Sequence, residues 1–241
     1  MEEAIYDRLS FQEFLWIDTV SNNIPDETTI LNFRHFLEEN KLQDILFTEV
    51  LSILKEKWFF FTRWTIVDAS IIRASSHTKN KDRKRDEEMS STKKNNNYYF
   101  WMKTHIWVDS DSWIVHSVEV TTAKDSDIWQ LYTLLHWEEK AVFWDNAYHK
   151  KSNKIQYRKD GVFYGITNKW TQAKKLSSKQ KKRNKQLSSV RSKVEHPFRI
   201  VKCQFNFTKV RFKWLEKNKA VMKIKWALWN IYMMRKKLLM T

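Results

Sequence analysis

Only two glycines, Gly161 and Gly165, occur in the 241 residues, so the first 160 positions contain none. Average usage would supply about 17. Glycine is the usual occupant of backbone positions with positive φ, in tight turns and at helix ends. A chain of this length must either avoid such positions or put side chains on them. Asparagine tolerates the left-handed region and covers some of them. The matching excess is tryptophan, with 13 residues. So little glycine excludes collagen-like and linker-like chains, and 42% hydrophobic residues exclude a disordered polar tail.

Charge is distributed just as unevenly. Residues 1–149 carry 17 Lys+Arg against 25 Asp+Glu, whereas residues 150–241 carry 27 against 3. A segment this basic predicts a polyanionic partner, most often nucleic acid; the alternative is a solvated lysine-rich face. No apolar run approaches the ~18 residues that span a bilayer. The start, MEEAIYDRLSFQEF, lacks the basic-then-apolar order of a signal peptide. No membrane partner and a cytoplasmic location are therefore expected. The single Cys203 cannot form an internal disulfide, which fits a reducing compartment.

Residues 1–58 read as helical. Pro25-Asp26-Glu27 is a helix start, followed by Ile30, Phe33, Phe36 and Leu37 at helical spacing, and Leu46, Val50, Ile53 and Leu54 continue the pattern. From Phe59 the texture turns to strand. Thr65–Ile72 is rich in β-branched residues, and further strands are predicted at Tyr98–Val108, Ile114–Thr121 and Ala141–Phe143. Asp109-Ser110-Asp111-Ser112 reads as a hairpin turn. The charge-dense stretch 75–97 reads as a loop or insertion, and a helix is predicted after Asp125 with Leu131, Leu134 and Leu135. A mixed region at 148–171 precedes a basic stretch at 172–193, either a helix or a loosely ordered DNA-binding segment. Helices at 194–204 and about 215–239 close the chain. The order defines an α/β domain behind a helical N-terminal part.

Three acids stand out by context. Asp68 interrupts the apolar strand TIVDASII, Asp145 ends AVFWD, and Glu195 is one of three acids in the last 92 residues. A carboxylate in or just past a strand is costly to bury unless it is paired or binds metal. Three converging carboxylates suit two Mg²⁺ or Mn²⁺ ions and phosphoryl transfer. Spacing alone leaves alternatives open. Asp68 and Asp145 also fit turn or cap positions. Glu195 also fits a salt bridge with Arg191 or Arg199. Asp109 and Asp111 read as turn residues, Asp125 and Asp127 as a helix start. There is no C-x-x-C, H-E-x-x-H, Walker or G-x-S-x-G pattern.

The segments IPDETTILNFRHFLEENKL, TIVDASII, SSHTKNKDRKRDEEMSSTKK, YYFWMKTHIWVDSDSWIVHSV, FWDNAY and VRSKVEHPFRIVKCQF together resemble the DDE transposases of bacterial insertion sequences, in the insertion sequence 5 group. The resemblance covers nearly the whole chain. It implies a ribonuclease H-like core over residues 59–210 with a polar insertion at 75–97, and a basic C-terminal helix over 211–241. Its D-D-E triad falls on Asp68, Asp145 and Glu195, holding two Mg²⁺ or Mn²⁺ ions. Arg191, Glu195 and Lys202 keep the spacing of a Y-x2-R-x3-E-x6-K signature, with Ser188 at the Tyr position. Arg191, Lys193, Arg199 and Lys202 are the implied DNA contacts. The implied activity is cleavage and strand transfer at element ends, on terminal inverted repeats and target double-stranded DNA. A homodimer in the synaptic complex and association with the nucleoid are implied as well. The alternatives are a catalytically inactive DNA-binding remnant and a ribonuclease H-like nuclease. Members of the group usually carry several tens of residues more at the start, so residues 1–58 are expected to be truncated.

The same resemblance gives the indoles a reading. Trp16, Trp58, Trp64, Trp101, Trp107, Trp113, Trp137 and Trp144 stand where the family pattern carries Gly. Some bacteria read UGA as Gly, and a code that reads UGA as Trp would produce this substitution. Restoring all 13 would bring the total to 15 glycines, close to the average fraction. The alternative is an indole-rich core or DNA-stacking surface. On the first reading, Trp113 at the close of DSDSW is expected at a turn position that wants positive φ.

Overall fold

The structure, a computed structural model, describes residues 2–21, 23–57, 59, 63–75, 86–94, 96–127, 130, 139–145, 151–169, 175–210 and 212–240. The chain forms two compact units, residues 1–43 and 44–241. The first contains α1 (Glu2–Asp7), α2 (Leu9–Leu15) and α3 (Glu27–Glu39). The Asp26 carboxylate caps α3 by accepting from the Thr29 N–H at 2.6 Å, as the Pro25-Asp26 start predicts. Arg34 and Glu38 pair one turn apart on the same helix.

α4 (Leu42–Glu56) belongs to the second unit from Asp44 onward. There it packs Leu54 with Ile114 and Met234, and Asp44 pairs with Lys223. The strands are β1 (Trp64–Arg73), β2 (Ser90–Lys94), β3 (Asn97–Asp109), β4 (Val115–Thr122), β5 (Ala141–Phe143) and β6 (Phe163–Gly165). β1 lies centrally, antiparallel to β3 and parallel to β5, and β6 continues parallel beyond β5. β2 and β4 both pair with the other side of β3, one after the other along it. The helices are α5 (Lys151–Lys159), α6 (Ser178–Arg191), α7 (Glu195–Cys203) and α8 (Leu215–Leu238), with a 3-10 turn at Ser192–Val194.

Alternation along β1 sorts the core into two layers. Ile66 and Ile72 join Ile106, Val118 and Val120 under Phe198 and Val201 of α7 and Met222 and Trp226 of α8. Val67 faces the other way, with Trp107, Val142 and Trp144, against Tyr157 of α5. α8 also seals the free side of β4. The Asn230 amide donates to the Val115 carbonyl and accepts from the Val115 N–H, both at 2.8 Å.

The predicted strands and hairpin are present. The stretch 75–97 is not all loop, because Ser90–Lys94 forms β2. A strand with so few β-branched residues forms because the outer side of β3 offers it a row of partners. Within the basic stretch, Ser178–Arg191 forms the helix α6, opened by a capping box between Ser177 and Gln180. The helix predicted around Leu131, Leu134 and Leu135 lies outside the described residues.

Both glycines sit where a side chain would be disfavoured, Gly161 by its backbone and Gly165 by its neighbours. Gly161 has φ +70°, and a Cβ on Gly165 would meet Phe143 Cδ1 at 2.6 Å. Six other described residues have positive φ, and three of them are tryptophans: Trp16 (55°), Trp113 (64°) and Trp214 (74°). The bulk of an indole makes this conformation costly. Trp107 and Trp226 are fully buried, and among the described residues their Nε1 atoms have no hydrogen-bond partner. An unpaired buried donor costs about 1–3 kcal/mol. Both observations mark positions where an indole is costly, although Trp107, Trp144, Trp226 and Trp229 do pack in the core.

Candidate active site

The parallel register of β1 and β5 pairs Thr65 with Val142 and Ile66 with Phe143. Asp68 and Asp145 each lie two residues beyond the last pair of that register, near enough for the Asp145 charge to act on Asp68. Asp68 lies on the Ile66 face of β1, under the helical layer, and is half-buried. Its carboxylate accepts one hydrogen bond, from the Ala69 N–H at 2.9 Å. Burial pushes its pKa up to about 6. The Ala69 N–H and the Arg191 guanidinium pull it down, and the charges of Asp145 and Asp127 push it up.

Asp145 lies two residues past the end of β5, and its side chain is 52% exposed. Arg191 ends α6 and brings Nη1 to 3.7 Å from Asp145 Oδ1. Its Nε is buried and has no hydrogen-bond partner among the described residues. The site is thus two carboxylates and one guanidinium with a donor still to be satisfied.

Glu195 is the first residue of α7 and is exposed. Among the described residues it forms no ion pair, so the spacing-based pairing with Arg191 or Arg199 is not made. The reason is local. The 3-10 turn at Ser192–Val194 stands between Arg191 and Glu195, and its three-residue turn takes them off one helical face. Glu195 does share a face of α7 with Lys202, seven residues on. Lys202 Nζ donates to Ser70 Oγ at 2.6 Å, on the strand and face that carry Asp68. Lys193 Nζ donates to the Ser110 carbonyl at 2.9 Å. Both lysines expected to touch DNA thus make contacts within the protein, while Arg199 is exposed.

Hard carboxylate oxygens at Asp68 and Asp145, one of them short of partners, have the donor chemistry of a divalent-cation site. Among the described residues, however, no three His, Cys, Asp or Glu side chains stand close enough to hold a metal. Asp68 and Asp145 come together; Glu195 does not join them as the side chains stand. The hairpin acids behave as turn residues. Asp109 Oδ2 accepts from the Ser112 N–H (2.8 Å), the Ser112 hydroxyl (2.6 Å) and the Asp111 N–H (3.3 Å). A cavity of about 450 Å³ lies at that end of β1, lined by Trp64, Asp109, Asp111 and Lys237 among others. It is not where the two aspartates meet.

Asp127 was read as a helix start. It does open a helical segment, and it also pairs with Lys103 at 2.9 Å and adds its field to Asp68. Ser70 was not singled out, although its offset of two from Asp68 is the strand period and would have found it.

The central strand thus carries one aspartate, and a second lies two residues past the end of its parallel neighbour. A family model described as the transposase DDE domain matches residues 60–231, more than two thirds of the chain. The chain belongs to this family of DDE-domain transposases. Such enzymes bind DNA and in general use divalent metals. Among the described residues no helix is long and apolar enough to cross a membrane.

Proposed function

We propose that the chain is a metal-dependent transposase that cuts and joins DNA at the ends of an insertion sequence of the group it resembles. The observation that carries this reading is the side-by-side setting of Asp68 and Asp145 with Arg191 against the second carboxylate. The mixed sheet, antiparallel from β4 to β1 and parallel from β1 to β6, supports the ribonuclease H-like core. Two Mg²⁺ or Mn²⁺ ions at Asp68, Asp145 and Glu195 would supply charge neutralisation at the phosphate and a more acidic water or hydroxyl. Support for Glu195 as third ligand is its shared face with Lys202, which reaches the Asp68 strand.

The residues divide the remaining work. Arg191, whose Nε has no hydrogen-bond partner among the described residues, holds a non-bridging phosphate oxygen. Arg199, exposed on α7, meets the DNA backbone. Lys193 and Lys202 brace the segment that carries Glu195 against the hairpin and β1. In the first step water bonds to phosphorus and the P–O3′ bond breaks, leaving a 3′-hydroxyl. In the second that hydroxyl attacks a target phosphodiester and displaces the target's own 3′-oxygen. Synapsis of two ends calls for a homodimer, working at the nucleoid in the cytoplasm.

The test is cleavage of duplex DNA bearing the element's terminal inverted repeats, with Mn²⁺ present. Loss of cleavage in Asp145→Asn supports the assignment; cleavage that persists in this variant overturns it. Joining of the freed 3′ end to a second duplex separates a transposase from a nuclease.

A further inference from the structure

The helix α6 has two faces that differ in what they touch. One is fastened to the protein. Arg183 donates to the Ile166 carbonyl at 2.7 Å and to the Tyr164 carbonyl at 3.3 Å. Asn184 accepts from the Asn168 N–H at 2.8 Å and donates to the Asn168 carbonyl at 2.9 Å. Leu187 is buried, and Arg191 pairs with Asp145. These positions recur every three to four residues, which is one stripe of a helix.

At about 100° per residue, the opposite stripe is Ser178, Lys181, Lys182, Lys185, Ser189 and Ser192, and all six are exposed. Every one is a hydrogen-bond donor, and three are cations. Residues 161–194 contain 10 Lys and Arg and no Asp or Glu. Among the described residues no carboxylate stands in ion-pair range of Lys181, Lys182 or Lys185. A helix that lies on a membrane surface needs a free apolar face, and the two apolar residues of α6, Leu187 and Val190, are committed to the core.

Resting on the transposase reading above, we propose that this outward stripe of α6 is a track for the phosphate backbone of duplex DNA, leading to the Asp68–Asp145 pair. Fastening the inner face holds the lysine row at a fixed distance from the reacting phosphate. Lys185 and Lys181 precede Arg191 by six and ten residues, about 9 and 15 Å at the α-helical rise. That is about three to four base pairs at ~3.4 Å of axis per strand phosphate.

The experiment measures binding of the full chain to a duplex across a salt series. Changing Lys181, Lys182 and Lys185 together to Gln is expected to flatten the slope of log K against log salt by about 2.7, about 0.9 per lost contact. The same three changed to Arg should keep the slope. Lys55, Lys213 and Lys236, also exposed, changed together to Gln should leave it nearly unaltered. An unchanged slope in the α6 variant, or equal flattening in both Gln variants, overturns the track while the transposase reading stands. Absence of any DNA binding by the unaltered chain overturns both. Placing uncharged phosphonate linkages about three to four base pairs from the cleaved phosphate should erase the difference between wild type and the α6 variant; a difference that persists also overturns the track.

Discussion

Asp68 and Asp109 sit on neighbouring strands of one sheet, and burial raises the pKa of both, yet they are held in opposite ways. Asp109 is wrapped by its own turn, with three donors from Asp111 and Ser112 on a single oxygen. Asp68 has one donor, from its chain neighbour, and a second carboxylate close by. A buried acid satisfied within its own turn is there to shape the turn. A buried acid with few donors among the described residues and a like charge beside it, offset only in part by the Arg191 guanidinium, is the one the proposed function uses.

The strongest way to break this contrast is activity. Asp68→Asn and Asp145→Asn should each lower Mn²⁺-dependent cleavage by roughly 10³-fold or more. Asp109→Asn should stay within about tenfold in a gel-based cleavage assay. A large loss confined to Asp109→Asn would reverse the assignment.

Stability should split the other way. Asp109→Ala leaves the turn donors without an acceptor and should cost about 2 kcal/mol in urea unfolding. Asp68→Asn should instead stabilise the metal-free chain at pH 7 by about 1–3 kcal/mol, since it removes an unfavourably placed charge. The sign follows from the raised folded-state pKa of about 6 against the ordinary value of 3.8. The native state takes up a proton more readily, so wild type loses this contribution as pH rises from about 4 through about 6. The advantage of Asp68→Asn should vanish below about pH 4 and level off above about pH 6. A constant advantage across that window would mean that packing, not charge, is responsible.

The smallest effect concerns the turn that holds Asp109. Trp113 closes it with φ 64°, its ring edge-on to His196 at 4.9 Å between centroids. Removing a buried aromatic usually costs about 3–5 kcal/mol. Trp113→Gly should cost only about 1–2 kcal/mol, because Trp113 is partly rather than fully buried and relief of left-handed strain, about 1–2 kcal/mol, offsets part of the lost contacts. The thermal midpoint of this variant reads the balance directly. Reading the codons at the 13 tryptophans is the complementary check: UGG throughout would remove the glycine explanation.

Much of this was legible from residues alone. TIVDASII and AVF carry strand patterning so strong that both aspartates could be placed at strand positions, and D-S-D-S could be read as a turn. What escaped has physical reasons. β2 exists because β3 offers it an open side, and its own residues carry little strand preference. The expected Arg191–Glu195 face fails because helical spacing assumes an uninterrupted α-helix, whereas a 3-10 turn intervenes. Lys202 and Lys193 look like surface cations in a basic sequence; only the fold reveals that they reach a hydroxyl and a carbonyl. The split of α6 into an anchored and a free face was equally hidden, since Arg183 and its lysine neighbours are chemically alike.

The amide of Asn230 against Val115 has a consequence for assembly. A strand edge with free N–H and C=O groups is a template onto which another chain can dock. Here one side chain occupies both groups of Val115, where an incoming strand would have to begin. Sheet-to-sheet joining of two copies through β4 is thereby blocked at that residue. Asn230→Leu should leave the catalytic pair untouched and yet make the protein prone to self-associate, a solubility defect without an active-site cause.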